Sequence, residues 1–197
     1  EYARLAKEDP ASILGNRTSA AIAVLQSSKH LTDVTRALTN LEISTRLSPR
    51  CCERFAAAKA PFAIYDLMKT CNRSKPHLLL QARALRVLFH VALHDALVAD
   101  LVGTTSHACV DALLDVLCVF REDETSFVLA VRLLRRISAR VPHARRRAGA
   151  RDNLKRLSSL LHLLKLRKLK SQANALEALR RALPASAASA ASSSSAY

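Results

Sequence analysis

Two histidines stand four residues apart in one predicted helix, a spacing that could hold a metal ion. His90 and His94 would lie on the same face of that helix, as paired imidazoles do in helical zinc sites. No third ligand follows at the spacing of a zinc motif, and the glutamate of an HExxH motif is missing. We therefore interpret both as structural histidines and expect neither a metal nor a cofactor.

The other reactive side chains do not form a catalytic set. Cys51 and Cys52 are adjacent, so they point in different directions on a helix. The five cysteines include no CxxC pair, which is typical of reduced thiols in an apolar core. The three glycines are isolated, so neither a phosphate-binding loop nor a dinucleotide fingerprint can be written. We predict no catalytic residues and no enzyme activity.

The cations are concentrated late in the chain. Residues 132–181 hold 16 Lys and Arg but two acids, whereas residues 1–131 hold 15 Lys and Arg and 14 acids. Such a charge favours an acidic partner, and its few acids suggest that it cannot neutralise itself. We predict a basic patch that binds this partner, formed by Arg140, Arg145, Arg146, Arg147, Arg151, Lys155, Arg156, Lys165, Arg167, Lys168 and Lys170.

Helices must position these residues, because the composition excludes sheets. Half of the 197 residues are hydrophobic, only 4% are aromatic, and glycine occurs three times. Such a chain lacks the turn glycines and the β-branched or aromatic strands that a sheet needs. Ser, Thr or Pro before apolar runs of helical period predict helices at 18–29, 32–47, 49–58, 61–71, 75–92, 94–102, 106–121, 125–140, 142–148, 152–170 and 172–183.

The predicted helices recur in units of roughly 40–47 residues, each with two long helices and a short one. The second long helix of each unit carries a leucine at the same place: Leu38, Leu85, Leu133 and Leu176. This is the armadillo/HEAT pattern, in which stacked units share one core. We predict an all-α, right-handed α-solenoid of about three to four armadillo/HEAT-like repeats. The alternative is a non-repetitive helical bundle.

Three segments follow from this pattern. Residues 1–17 are interpreted as a lead-in from a longer chain, and residues 18–183 as the armadillo-like repeat domain. Residues 184–197, almost entirely Ala and Ser, are expected to be a disordered tail or a remnant added for expression. No apolar run is long enough to cross a membrane, and we expect no membrane partner.

The basic stretch 154–170 (LKRLSSLLHLLKLRKLK) has two interpretations. It is amphipathic, like a calmodulin target or a helix on a membrane surface. However, its leucines coincide with the core positions of the other repeats, which favours a core helix. Aromatic residues are absent between 128 and 196, so single-stranded nucleic acid has no stacking platform. Nucleic acid is therefore disfavoured as the partner, although duplex phosphates remain an alternative.

A more specific string lies at residues 38–77, which read LTNLEISTRLSPRCCE, then IYDL at 64–67 and CNRSKPH at 71–77. Together with LLDVLCVFRE at 113–122, it resembles the C-terminal armadillo-like region of the abnormal spindle protein family. The similarity covers roughly residues 20–140, and CNRS after an IYDL-type helix is its distinctive part.

The resemblance implies a non-enzymatic scaffold at mitotic spindle poles that binds and focuses microtubule minus ends. It implies calmodulin and microtubule-severing partners, with calmodulin bound through upstream regions that this sequence lacks. The implied location is the cytoplasm, cytoskeleton and spindle pole, with the nucleus in interphase. Because tubulin carries acidic C-terminal tails, the basic patch is a plausible electrostatic complement to them. A generic armadillo peptide-binding adaptor and a nucleic-acid-binding repeat remain the alternatives.

Overall fold

The structure, a computed structural model, describes residues 10–183, and all regular secondary structure in this range is helical. The helices are α1 (Pro10–Ser27), α2 (Leu31–Leu47), α3 (Pro49–Ala57), α4 (Ala60–Thr70), α5 (Lys75–Ala92), α6 (Val98–Val102), α7 (His107–Val119), α8 (Glu124–Arg140), α9 (Pro142–Ala148), α10 (Arg151–Leu166) and α11 (Lys170–Ala182). A 3₁₀ turn at Asp95–Leu97 leads into α6. Residues 1–9 of the predicted lead-in and the predicted tail 184–197 lie outside this range.

The helices stack in two rows. Helices α2, α5, α8 and α11 pack one against the next and form a row that we call the third-helix row. On the other side, α1 packs against α4, and α4 against α7, while α10 packs on α11. The short helices α3, α6 and α9 each open a three-helix unit. The fold is thus a helical repeat solenoid, as predicted, while its right-handed coil remains a prediction.

One continuous hydrophobic core runs through all the units. In the third-helix row, Leu38, Leu85 and Leu176 are fully buried, as the repeat pattern predicts. The residue of α8 that corresponds to Leu85 is Leu134, not the predicted Leu133. Pairing Leu85 with Leu133 assumed an offset of 48 residues between the two helices. In the structure α8 begins 49 positions after α5, and the buried residues follow the same offset. Leu133 takes the place of Ala84, and both are fully buried.

Two helix ends differ from the sequence prediction. The first helix begins at Pro10 rather than at residue 18, because the Thr18 hydroxyl donates to the Leu14 carbonyl inside the helix instead of capping it. Part of the predicted lead-in is therefore helical. Helix α10 ends at Leu166 rather than at residue 170, since Lys168 adopts a left-handed conformation (φ 58°) that terminates the helix.

The turn after α6 requires a glycine. Gly103 has φ 69°, and a Cβ at this position would lie 2.7 Å from the Phe62 ring. This turn lets α6 and α7 meet at a sharp angle. Within the described residues, no single helix has the length and hydrophobicity of a membrane span; residues 95–102 and 107–119 reach them only as a pair bent by 89°.

Polar side chains join consecutive repeats along the whole stack. Arg83 on α5 contacts Thr39 and Glu42 on α2, 44 and 41 positions earlier. On α8, Arg136 donates to the backbone carbonyl of Ala92 and to that of Leu93 at 2.8 Å, where α5 ends. We call such bonds between neighbouring units inter-repeat ties. They fix the register of each unit on the one before it.

Candidate partner-binding surface

The short helix α9 presents the arginine run of the predicted basic patch. Pro142 sits in its first turn, where a missing backbone N–H costs nothing. Ala144 and Ala148 are fully buried and anchor one face of the helix against the stack. Arg145 and Arg146 are exposed as a consequence.

Helix α10 is a core helix of the last repeat, which confirms that interpretation of the basic stretch. Its leucines at core positions are buried: Leu157, Leu160, Leu161 and Leu164. Arg151 and Lys155 lie in its first two turns and are exposed. The amphipathic pattern therefore reflects packing within the solenoid, with the cations on the solvent side.

Arg147 and Arg156 are tied to α7 of the preceding unit. Arg147 makes a bidentate contact with Asp111, with Nε and Nη2 donating over 3.1 and 2.8 Å. This hydrogen bond raises the pKa of the Arg147 guanidinium above its ordinary value. Arg156 donates to Asp115 at 2.6 Å and to the Cys118 sulfur at 3.2 Å. Both arginines therefore serve the interface between units.

Three further cations of the predicted patch are also paired. Arg140 lies 2.9 Å from Asp95, and Arg167 pairs with Glu122, so both acids come from earlier in the chain. Lys165 donates to Glu177 of α11 at 2.6 Å, which lowers the pKa of this carboxyl group. The expectation that the patch lacks its own counter-charges is therefore wrong. The fold brings acids from the neutral part of the sequence to four of its members, and Glu177 serves the fifth.

The other six members form no ion pair within residues 10–183, and they fall into two groups. The first group, which we call the α9 cluster, comprises Arg145, Arg146, Arg151 and Lys155 around the α9–α10 junction. Lys168 and Lys170 lie beyond the opposite end of α10. At 1.5 Å per residue, Lys155 lies roughly 17 Å from the end of α10 beyond which the second group begins. The predicted patch is thus two separate surfaces, of which the α9 cluster is the larger.

A surface recess of about 330 Å³ opens beside the α9 cluster. It lies between the end of α8 and the start of α9 and is lined by Ser138, Ala139, Pro142, Arg145 and Arg146. Two guanidinium groups at its rim make it suited to a carboxylate. An acidic side chain of a partner could enter here without displacing any inter-repeat tie.

The two candidate zinc histidines lie in different surroundings. His90 Nδ1 lies 3.2 Å from the Thr45 hydroxyl of α2. Because that hydroxyl donates to the Leu41 carbonyl at 2.7 Å, it accepts from His90, whose proton is on Nδ1. His94 instead precedes the 3₁₀ turn. Within the described residues, no three His, Cys, Asp or Glu side chains are placed to hold a metal ion.

We expect the stability of the chain to decrease below pH 6.5 in part through His90. Burial, opposed by Glu42, lowers the pKa of His90 below its ordinary value of 6.5, and Arg46 and Arg86 lower it further. Between the pKa of His90 in the folded chain and its higher pKa in the unfolded chain, the unfolded chain binds a proton that the folded chain does not. Acidification through this range therefore favours unfolding. Urea unfolding at about pH 7.5 and about pH 5.5 measures the effect. His90→Gln should lose less stability over this interval, and an equal loss would contradict the assignment.

The cysteine thiols are structural. All five cysteines are free, and Cys51, Cys52 and Cys109 are buried. Burial raises the pKa of Cys52 and Cys71 to about 11 and that of Cys109 to about 12. These three thiols therefore stay protonated near neutral pH, whereas a nucleophilic cysteine must be a thiolate.

Known proteins resemble part of this chain. Over 109 residues it is 40%, 39% and 38% identical to the abnormal spindle-like microcephaly-associated protein homologues of Mus musculus, Canis lupus familiaris and Felis catus. The aligned region is 55% of this chain but only 3% of each relative, so the match spans a small part of the relatives' length. No protein-family model matches the chain, and no solved structure matches it. The resemblance to the abnormal spindle family is confirmed.

Proposed function

We propose that this solenoid is a non-enzymatic interaction module of a spindle-associated protein, and that its α9 cluster contacts acidic partners such as the tails of tubulin. The names of the similar proteins support the association with the spindle. The contact with an acidic partner is supported by the charge of the last unit. A module of this kind would act at the spindle pole as part of a longer chain.

The observation that carries the proposal is the difference between paired and unpaired cations. Arg147 and Arg156 have already satisfied their charge within the solenoid, so a partner would gain little from them. Arg145 and Arg146 are exposed beside a recess, without a carboxylate from the described residues. An acidic chain that binds there replaces solvent and counterions rather than an existing ion pair.

Cosedimentation with microtubules tests the proposal. Changing Arg145, Arg146, Arg151 and Lys155 together to glutamine should weaken binding by about tenfold, because four exposed charges lose their attraction to the tails. Removing the acidic tails from tubulin should weaken binding of the unchanged chain to a similar degree. Raising the salt from about 50 to about 300 mM should also weaken it, since exposed charges are screened.

A second variant with the same change of charge is the control. Arg17, Lys29, Arg46 and Arg50 are exposed cations at the opposite end of the solenoid, and none forms an ion pair with another described residue. Changing these four to glutamine should leave microtubule binding nearly unchanged. Equal losses of microtubule affinity in the two variants would mean that only net charge matters. An affinity that changes neither with salt nor with removal of the tubulin tails would contradict the proposal.

Duplex DNA separates this function from the nucleic-acid alternative. If the α9 cluster serves mainly to hold phosphates, DNA should bind more tightly than microtubules and displace them at equal charge concentration. We expect the protein to remain bound to microtubules in that competition. Displacement by DNA would favour the alternative function.

A further inference from the structure

The third-helix row carries a second set of arginines that the predicted basic patch did not include. Arg83 and Arg86 on α5 have counterparts in Arg132 and Arg135 on α8, because the two helices correspond with an offset of 49 residues. Both pairs therefore occupy the same positions in consecutive repeats. The spacing of three residues places each pair on one face of its helix.

Only the first pair meets an acid. Arg83 and Arg86 lie 3.9 and 3.4 Å from Glu42, which is half-buried on α2. The residue that corresponds to Glu42 on α5 is Phe89, because α2 and α5 correspond with an offset of 47 residues in their burial pattern. Where the first unit offers a carboxylate, the second offers an aromatic ring.

The second pair is consequently unmatched. Arg132 and Arg135 are exposed and form no ion pair within the described residues, although the same helix supplies Arg136 and Arg140 to ties with Asp95. The face of α5 and α8 thus carries four arginines against one carboxylate.

We propose that this face of α5 and α8 binds an extended acidic segment of a partner protein. One carboxylate of the segment pairs with Arg132 or Arg135. Another pairs with Arg86, the more exposed of the two arginines that share the single carboxylate of Glu42. The half-buried ring of Phe89 supplies the apolar contact between them. The site is separate from the α9 cluster and does not depend on the proposed contact with tubulin.

The geometry also specifies the spacing of the acids. Packed helices lie about 8–10 Å apart, which sets the distance between equivalent arginines in adjacent units. A polyproline II segment advances about 3.1 Å per residue and returns to the same face every third residue, or about 9.3 Å. Acids at every third position of such a segment would therefore meet the arginines of successive helices. Arginine favours this contact because its planar guanidinium can bind a carboxylate through two hydrogen bonds.

Fluorescence anisotropy with two labelled peptides tests the proposal. The first peptide has glutamate at every third position between prolines, and the second has the same composition with its glutamates adjacent. The first should bind the full chain more tightly, because only its spacing matches the helices. Changing Arg132 and Arg135 together to glutamine should weaken binding of the first peptide by about tenfold, the loss expected for one bidentate pair.

The matched control is the double change Arg17→Gln and Lys29→Gln, which removes the same charge from two exposed cations at the opposite end of the solenoid. It should leave binding of the spaced peptide unchanged. Circular dichroism should show that both double variants keep their helices, since all four residues are exposed. Equal affinity for the two peptides, or equal losses in the two variants, would overturn the proposal. Microtubule cosedimentation of the Arg132/Arg135 variant should remain normal, so the two proposals can fail separately.

Discussion

Replacing Leu85 with alanine should lower the free energy of unfolding by about 3 kcal/mol. Leu85 is fully buried at the centre of α5, between the neighbouring helices of the third-helix row. Removing its branched side chain forfeits the transfer energy of the lost methyl groups and leaves a cavity that the surrounding helices fill only in part. The midpoint of thermal unfolding should drop by roughly 9 °C for a chain of this length. Urea unfolding and calorimetry measure the two quantities.

Leu79 on the same helix provides the control. Its side chain is 49% exposed, so Leu79→Ala should cost less than about 0.5 kcal/mol. The two variants change the same residue type in the same helix and differ only in burial. Similar destabilisation by both would show that α5 is not packed in the core as described.

Replacing Arg136 with alanine should cost about 2 kcal/mol, an unusual loss for a half-buried arginine. Its guanidinium donates to the carbonyls of Ala92 and Leu93, which the last turn of α5 leaves without helical partners. It also lies 3.0 Å from Asp95. Loss of the side chain therefore leaves the end of one helix unsatisfied and loosens two units from each other. Chemical denaturation should detect the change.

The adjacent Arg135 separates this effect from a simple change of charge. Arg135→Ala removes one cation from the same helix but no described ion pair, so stability should change by less than about 0.5 kcal/mol. Repeating Arg136→Ala in an Asp95→Ala background isolates the contribution of the carbonyls. Most of the loss should persist there, because the side chain of Asp95 is 52% exposed and its ion pair is screened. Disappearance of the loss would assign it to the ion pair instead.

The helical repeat could be predicted from the sequence because leucine spacing and proline punctuation are local signals. Pro49 and Pro142 start α3 and α9 at the predicted residues. The start of α1 could not be predicted, since a threonine before an apolar run resembles a cap unless its hydroxyl partner is known. The register of α8 was one residue off because adjacent leucines, Leu133 and Leu134, are both buried.

The candidate site was harder to predict, because charge in a sequence does not show pairing in space. Arg147 and Arg156 looked equivalent to Arg145 and Arg146 in a cationic run. Their carboxylates lie 36 and 41 positions earlier, a separation that follows only from stacking one unit on another. The arginine pairs of α5 and α8 did leave a signal, since both repeat at the same spacing. Recognising it requires the correct register of α8.

The inter-repeat ties bear on how the solenoid responds to force. Those made by arginines join exposed or half-buried side chains at the edges of the units, whereas the leucine core runs without a break from one unit to the next. A pull along the stack would lengthen these edge contacts first, and the units could tilt against one another while each kept its helices. The solenoid should therefore behave as a compliant spring whose stiffness falls as the salt concentration rises. In a chain that carries load, that elasticity would allow small extensions to be recovered without refolding.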